Sequence, residues 1–99
     1  MYSFLTDRKK EYVLSKQLLR SGTAIGALIS EAQYAQSKAD FVNKMHVALK
    51  EANETRYWIQ LLNDSDFLSS KMHESIQPDI ESLIKLLTST INTAKRNPS

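Results

Sequence analysis

LLRSGTAIGALISEAQ, residues 18–33, runs with only Tyr34, Ala35 and Gln36 between into SKADFVNKMHVALKEANETRYWIQLL, residues 37–62. The connection is too short for anything but a turn, so the reading of these two segments decides the fold. At about 100° per residue, Leu14, Leu18, Ile25, Ile29 and Ala32 fall in one narrow stripe, which predicts a long helix from Lys9 to Ala35 with that stripe facing a core. Lys9, Lys16, Arg20 and Glu31 lie on the opposite side, and Ser15, Leu19, Gly22, Gly26 and Ser30 line a flank between. The second segment repeats Phe41, Met45, Ala48, Ala52, Thr55, Ile59 and Leu62 at alternating spacings of four and three, the seam of a helix packed nearly antiparallel against its neighbours. Small residues in the middle of that seam predict tight contacts. Ser37 is placed to cap this helix, with Asp40 in the capping-box position.

Outward from this pair, Asn63 and the DSD run at 64–66 end the second helix, and Phe67 and Leu68 are expected to cover the end of the bundle. A last helix carries Ile76, Ile80, Leu83, Leu87, Ile91 and Ala94 at core spacing. Pro78 leaves its start open, since proline suits a first turn and disrupts an interior: the helix either begins near Gln77 or is kinked there after a start near Ser70. Ahead of Asp7, Tyr2, Phe4 and Leu5 are apolar but form only a stub. The expected fold is therefore all-α: an up-and-down antiparallel helical bundle of the four-helix type with a shortened first helix, in a single domain over residues 1–99.

Composition agrees with a helical reading. The 99 residues include only two Gly and two Pro, and no Cys, so thiolate metal sites and disulfides are excluded and a cytoplasmic location is expected. No apolar run is long enough for a membrane span or an export signal. The net charge of +2 is unevenly spread: residues 1–50 carry eight Lys or Arg against four Asp or Glu, and residues 51–99 five against seven. A core of this size is only marginally sufficient without cross-links, metal or a partner, so the expectation is one small domain for which a homo-oligomer is open.

EYVLSKQLLRSGTAIGALISEAQ at 11–33, SKADF at 37–41, ETRYW at 54–58 and LIKLLTSTINTAKRN at 83–97 together resemble the bacterial four-helix-bundle proteins encoded by intervening sequences inside 23S ribosomal RNA genes. The resemblance runs from Glu11 onward, with one departure: family members usually carry a full helix ahead of the segment matching Glu11. A related branch comprises the accessory proteins of diversity-generating retroelements, pentameric barrels that bind nucleic acid and a reverse transcriptase. The resemblance thus implies a homopentamer and RNA or DNA as a partner.

Candidate sites follow from charge placement. Lys9, Lys16 and Arg20 align along one side of the first long helix, with Arg8 and Lys10 adjoining, and cations so placed can follow a phosphate backbone. Gly22 and Gly26 predict close packing against a neighbouring backbone, within the chain or between subunits. Glu31, Glu51 and Arg56, with Arg20, are candidates for ion pairs between helices or subunits, and Trp58 for a core edge or subunit contact. No chemistry-bearing cluster accompanies them. His46 and His73 lack a Glu three residues earlier, Glu51 and Glu54 lack a third ligand, and the Gly22-x-x-x-Gly26 spacing lacks a phosphate loop's Lys-Ser/Thr ending. No catalytic residue, metal or cofactor is expected. The alternative to nucleic-acid binding is a structural or protein-binding oligomer whose apolar groove accepts a partner helix.

Overall fold

The computed structural model of the chain describes the backbone of residues 2–97 and the side chains of residues 8–97. It contains three helices: α1 (Tyr2–Gln33), α2 (Lys38–Asp64) and α3 (Ser70–Arg96). The expected four-helix type with a shortened first helix is overturned. Residues 2–10 are not the remnant of a separate helix but the opening turns of α1. The reason is local, because no Gly or Pro separates Tyr2 from Glu11 and nothing there stops the helix from propagating. The packing of Tyr2, Phe4 and Leu5 lies outside the described side chains.

The turn between α1 and α2 is as short as the sequence implies. Tyr34 and Ala35 donate backbone hydrogen bonds to the carbonyls of Glu31 and Ala32, and Ser37 caps α2 by accepting from the Asp40 amide at 3.0 Å. The far end of α2 closes differently. Ser65 is its last cap, Asp66 adopts a positive φ of 61°, the Asp66 amide donates to Asn63 and the Phe67 amide to Leu62. These are the two reverse bonds of a Schellman motif, with Asp66 in the left-handed position that glycine usually holds. Ser69 then caps α3, accepting from Met72 at 3.2 Å. Of the two starts that Pro78 left open, the earlier one is found: α3 runs from Ser70 through Pro78. Pro78 is exposed, and Ile76 and Ile80 on either side of it pack into the core, so tertiary contacts hold the helix across a missing amide.

α2 is the central element. Its Met45, Ala48, Ala52, Thr55, Ile59 and Leu62 are all buried, the seam expected from their spacing apart from the half-buried Phe41. Ala48 and Ala52 are wholly enclosed, so their small side chains let both neighbours come near. Leu14, Ser21, Ile25 and Ala32 from α1 and Ile80, Leu87 and Ile91 from α3 complete the buried set among the described residues. α1 and α3 both pack on α2, yet among the described residues their Cα atoms nowhere come within 8 Å of each other. The molecule is accordingly long and flat, 60 × 22 × 14 Å. No described helix is long and apolar enough to cross a membrane.

Candidate functional site

The α1–α2 seam fixes the register on which every candidate residue depends. Ser21 is completely buried, and Thr55 faces it with the two hydroxyl oxygens 2.8 Å apart. Thr55 Oγ1 also lies 2.8 Å from the Glu51 carbonyl, and Ser21 Oγ lies 3.2 Å from that of Leu18. Two hydroxyl protons must serve these three contacts. If Thr55 donates to Glu51 and Ser21 to Thr55, only the longest contact goes without a proton, and this arrangement is favoured. Sequence reasoning placed Thr55 in the seam but passed over Ser21. The signal was present, since Ser21 lies between Leu14 and Ile25 on the core stripe.

Above this pair Arg20 reaches across to α2. Its guanidinium pairs with Glu54, lies 3.5 Å from Glu51, and is further held by Gln17 at 3.1 Å. Glu51 Oε2 is buried and has no hydrogen bond of good geometry, so Arg20 meets it as a charge at a distance. Glu54 also accepts from Trp58 Nε1 at 3.4 Å. Arg20, expected among the phosphate-binding cations, is therefore committed inside the chain. The interhelical role foreseen for Glu51 and Arg56 is present: Arg56 pairs with Glu81 of α3 at 3.3 Å and with Asn53 at 2.8 Å. Glu31 is exposed and makes no ion pair among the described residues. Trp58 is half-buried, with the Tyr57 ring edge-on to it at 5.1 Å.

The other candidate cations of α1, Arg8, Lys9, Lys10 and Lys16, are all exposed. They occupy the leading turns of α1. Because Ser21 pairs with Thr55 in an antiparallel seam, stepping back along α1 to Tyr12 corresponds to stepping forward along α2 to its end at Asp64. The turns carrying Arg8, Lys9 and Lys10 thus lie beyond the reach of α2, and Lys16 sits just inside it on the side away from the core.

On the flank between α1 and α3 a groove of ≈ 510 Å³ opens. Leu18, Leu19, Gly22 and Thr23 form one wall, Ile76, Ile80 and Leu83 the other, and Thr55 and Ile59 the floor, with Asp79 the one charged group among its lining residues. Leu19 stands 72% exposed on the rim. The close approach expected at the two glycines is not made within this chain: a Cβ built on Gly22 or on Gly26 meets nothing within 4 Å. Among the described residues no group of three or more His, Cys, Asp or Glu side chains could hold a metal ion.

These features define a class: an all-helical protein of three long helices, closed along α1–α2 and α2–α3 and open between α1 and α3. The chain belongs to the 23S rRNA-intervening sequence protein family, whose family model matches residues 1–89. The match takes in residues 1–10, ahead of the point where the motif resemblance begins. The chain is also similar to the crystal structure of a protein of unknown function from the S23 ribosomal protein family of Bacteroides thetaiotaomicron. The two share 54% sequence identity and a TM-score of 0.79, over 91% of this chain and 83% of that one. A search of the curated proteins finds no significant match.

Proposed function

We propose that this protein is a non-enzymatic, cytoplasmic interaction module that self-associates and binds nucleic acid through the exposed cationic turns of α1. The observation that carries the reading is a difference among the candidate basic residues. Arg20 and Arg56 are held in pairs with glutamates of the same chain, whereas Lys9, Lys10 and Lys16 are exposed and make no ion pair among the described residues. Cations left in solvent along one helix neutralise phosphates at little reorganisation cost, and each phosphate contact releases a condensed counterion. Three lysines per chain make a weak site, so affinity depends on repeating it. A ring such as the pentamer implied by the resemblance to the retroelement accessory proteins would multiply the contacts without adding any per chain.

Light scattering coupled to size-exclusion chromatography, with and without a stretch of ribosomal RNA at low and moderate salt, tests this directly. An oligomer that takes up RNA mainly at low salt is expected. Reversing Lys9, Lys10 and Lys16 to Glu should abolish uptake while the circular dichroism stays helical; unchanged uptake and salt dependence would refute the reading.

A second reading is favoured by one specific observation, the apolar groove between α1 and α3. Its walls match an amphipathic helix from another protein chain, taken up without any role for nucleic acid. Saturable capture of an apolar helical peptide by a chain that ignores RNA at every salt concentration would transfer the conclusion to this reading.

A further inference from the structure

We infer that the cationic face of α1 takes single-stranded nucleic acid, with the ring of Tyr12 stacked on a base between phosphates held by Lys9 and Lys16. This rests on the nucleic-acid reading above and names the class of ligand for the same face. Tyr12 follows Lys9 by three residues and precedes Lys16 by four, so the three side chains share one side of the helix, opposite the core stripe. The two lysines stand about 10 Å apart along the axis, with the ring between them. All three are exposed, Tyr12 to 64%. Among the described residues of α1 the adjoining acidic group, Glu11, accepts a hydrogen bond from Ser15 at 3.0 Å.

Two other exposed tyrosines show that this placement is particular. Tyr57 is used inside the chain, edge-on to Trp58. Tyr34 is exposed at the opposite end of α1, where the nearest charged residue of that helix is Glu31. Among the tyrosines whose side chains are described, Tyr12 alone combines an exposed ring with lysines about a turn away on either side along the same helix face.

The arrangement discriminates between nucleic-acid forms for a physical reason. In a duplex the faces of the bases are stacked on one another and a convex helix meets only phosphates and groove edges. In a single strand a base can leave the stack and lie on an aromatic ring while its neighbouring phosphates reach flanking cations, a contact that tolerates any sequence. Lys9 and Lys16 supply attraction to either form, and Tyr12 supplies the preference.

The test is fluorescence anisotropy with a labelled oligouridylate, an RNA duplex and a DNA duplex of the same strand length, with inorganic polyphosphate as a competitor that has charge but no bases. The single strand should bind more tightly than either duplex. Tyr12→Ala should weaken oligouridylate binding between about fivefold and a hundredfold while leaving the salt slope and binding of polyphosphate unchanged. Tyr12→Phe should keep the affinity, Tyr12→Leu should lose it, and Tyr34→Ala should have no effect. The leucine variant matters because a subunit contact would accept an aliphatic side chain, whereas stacking would not. Equal binding of duplex and single strand with Tyr12→Ala silent overturns the inference and leaves the cationic face standing. A loss of binding that follows disassembly in light scattering, or a preference for anionic lipid vesicles over the oligonucleotide, overturns it as well. Failure to bind any of the polyanions defeats the underlying reading instead.

Discussion

The two flanks of α1 are built from the same helix and end in opposite states. On the α2 side Ser21, Ala48, Ala52 and Thr55 are enclosed, a hydroxyl pair sets the register, and Arg20 spans the seam to Glu51 and Glu54. On the α3 side Gly22 and Gly26 meet nothing, Leu19 stands in solvent, and Ile59 and Ile80 lie under an open groove. Small residues therefore do not by themselves mean close packing. A serine that can be paired through its hydroxyl draws a neighbour in, while a glycine offers only space, and space is filled only if some other surface arrives to fill it.

The largest perturbation should come where the two flanks meet. Ile59 is buried in the α2 seam and forms the floor of the groove, so Ile59→Ala removes packing from both and should cost about 2–5 kcal/mol in urea unfolding. A loss below about 1 kcal/mol would mean that the open groove lets the site collapse. A sharper comparison lies in the hydroxyl pair. Ser21→Val forces two methyl groups into a fully enclosed position and should cost about 1–3 kcal/mol. Thr55→Val preserves shape and leaves Ser21 free to donate to Leu18, so it should cost only about 1 kcal/mol. Equal effects would show that the hydrogen bond, and not the tight fit, holds the seam. The smallest effect should have the opposite sign. Gly22→Ala adds a Cβ where nothing stands within 4 Å and removes a flexible residue from a helix interior, so the isolated chain should gain about 0.5–1 kcal/mol. A gain in monomer stability joined to weaker self-association would break the comparison in an informative way, by showing that the groove flank closes only between chains.

Part of the candidate site is legible in the sequence. The lysines of α1 were identifiable from helical periodicity because exposure opposite a core stripe is a geometric consequence of 3.6 residues per turn. What periodicity could not tell was which cations are already spent. Arg20 lies on the same side as Lys9 and Lys16 in the sequence, yet its longer, forked side chain reaches two glutamates on the next helix. That reach depends on the α1–α2 register, which Ser21 and Thr55 set, and Ser21 reads in isolation as one more small polar residue. Glu31, a candidate for an ion pair between helices or subunits, is brought to no partner within the chain among the described residues.

The sequence by itself determined three long amphipathic stretches, the Ser37 cap, the seam of α2, the absence of thiol chemistry and the family to which the chain belongs, because each rests on local spacing or on motifs read in order. Tertiary structure alone decided that α3 persists through Pro78, that Arg20 and Arg56 are tied down while Lys9, Lys10 and Lys16 are not, and that α1 and α3 leave a groove between them. The physical division is between interactions a few residues apart, which a helical wheel contains in full, and contacts across the chain. The latter depend on how three rods of nearly equal length settle against one another.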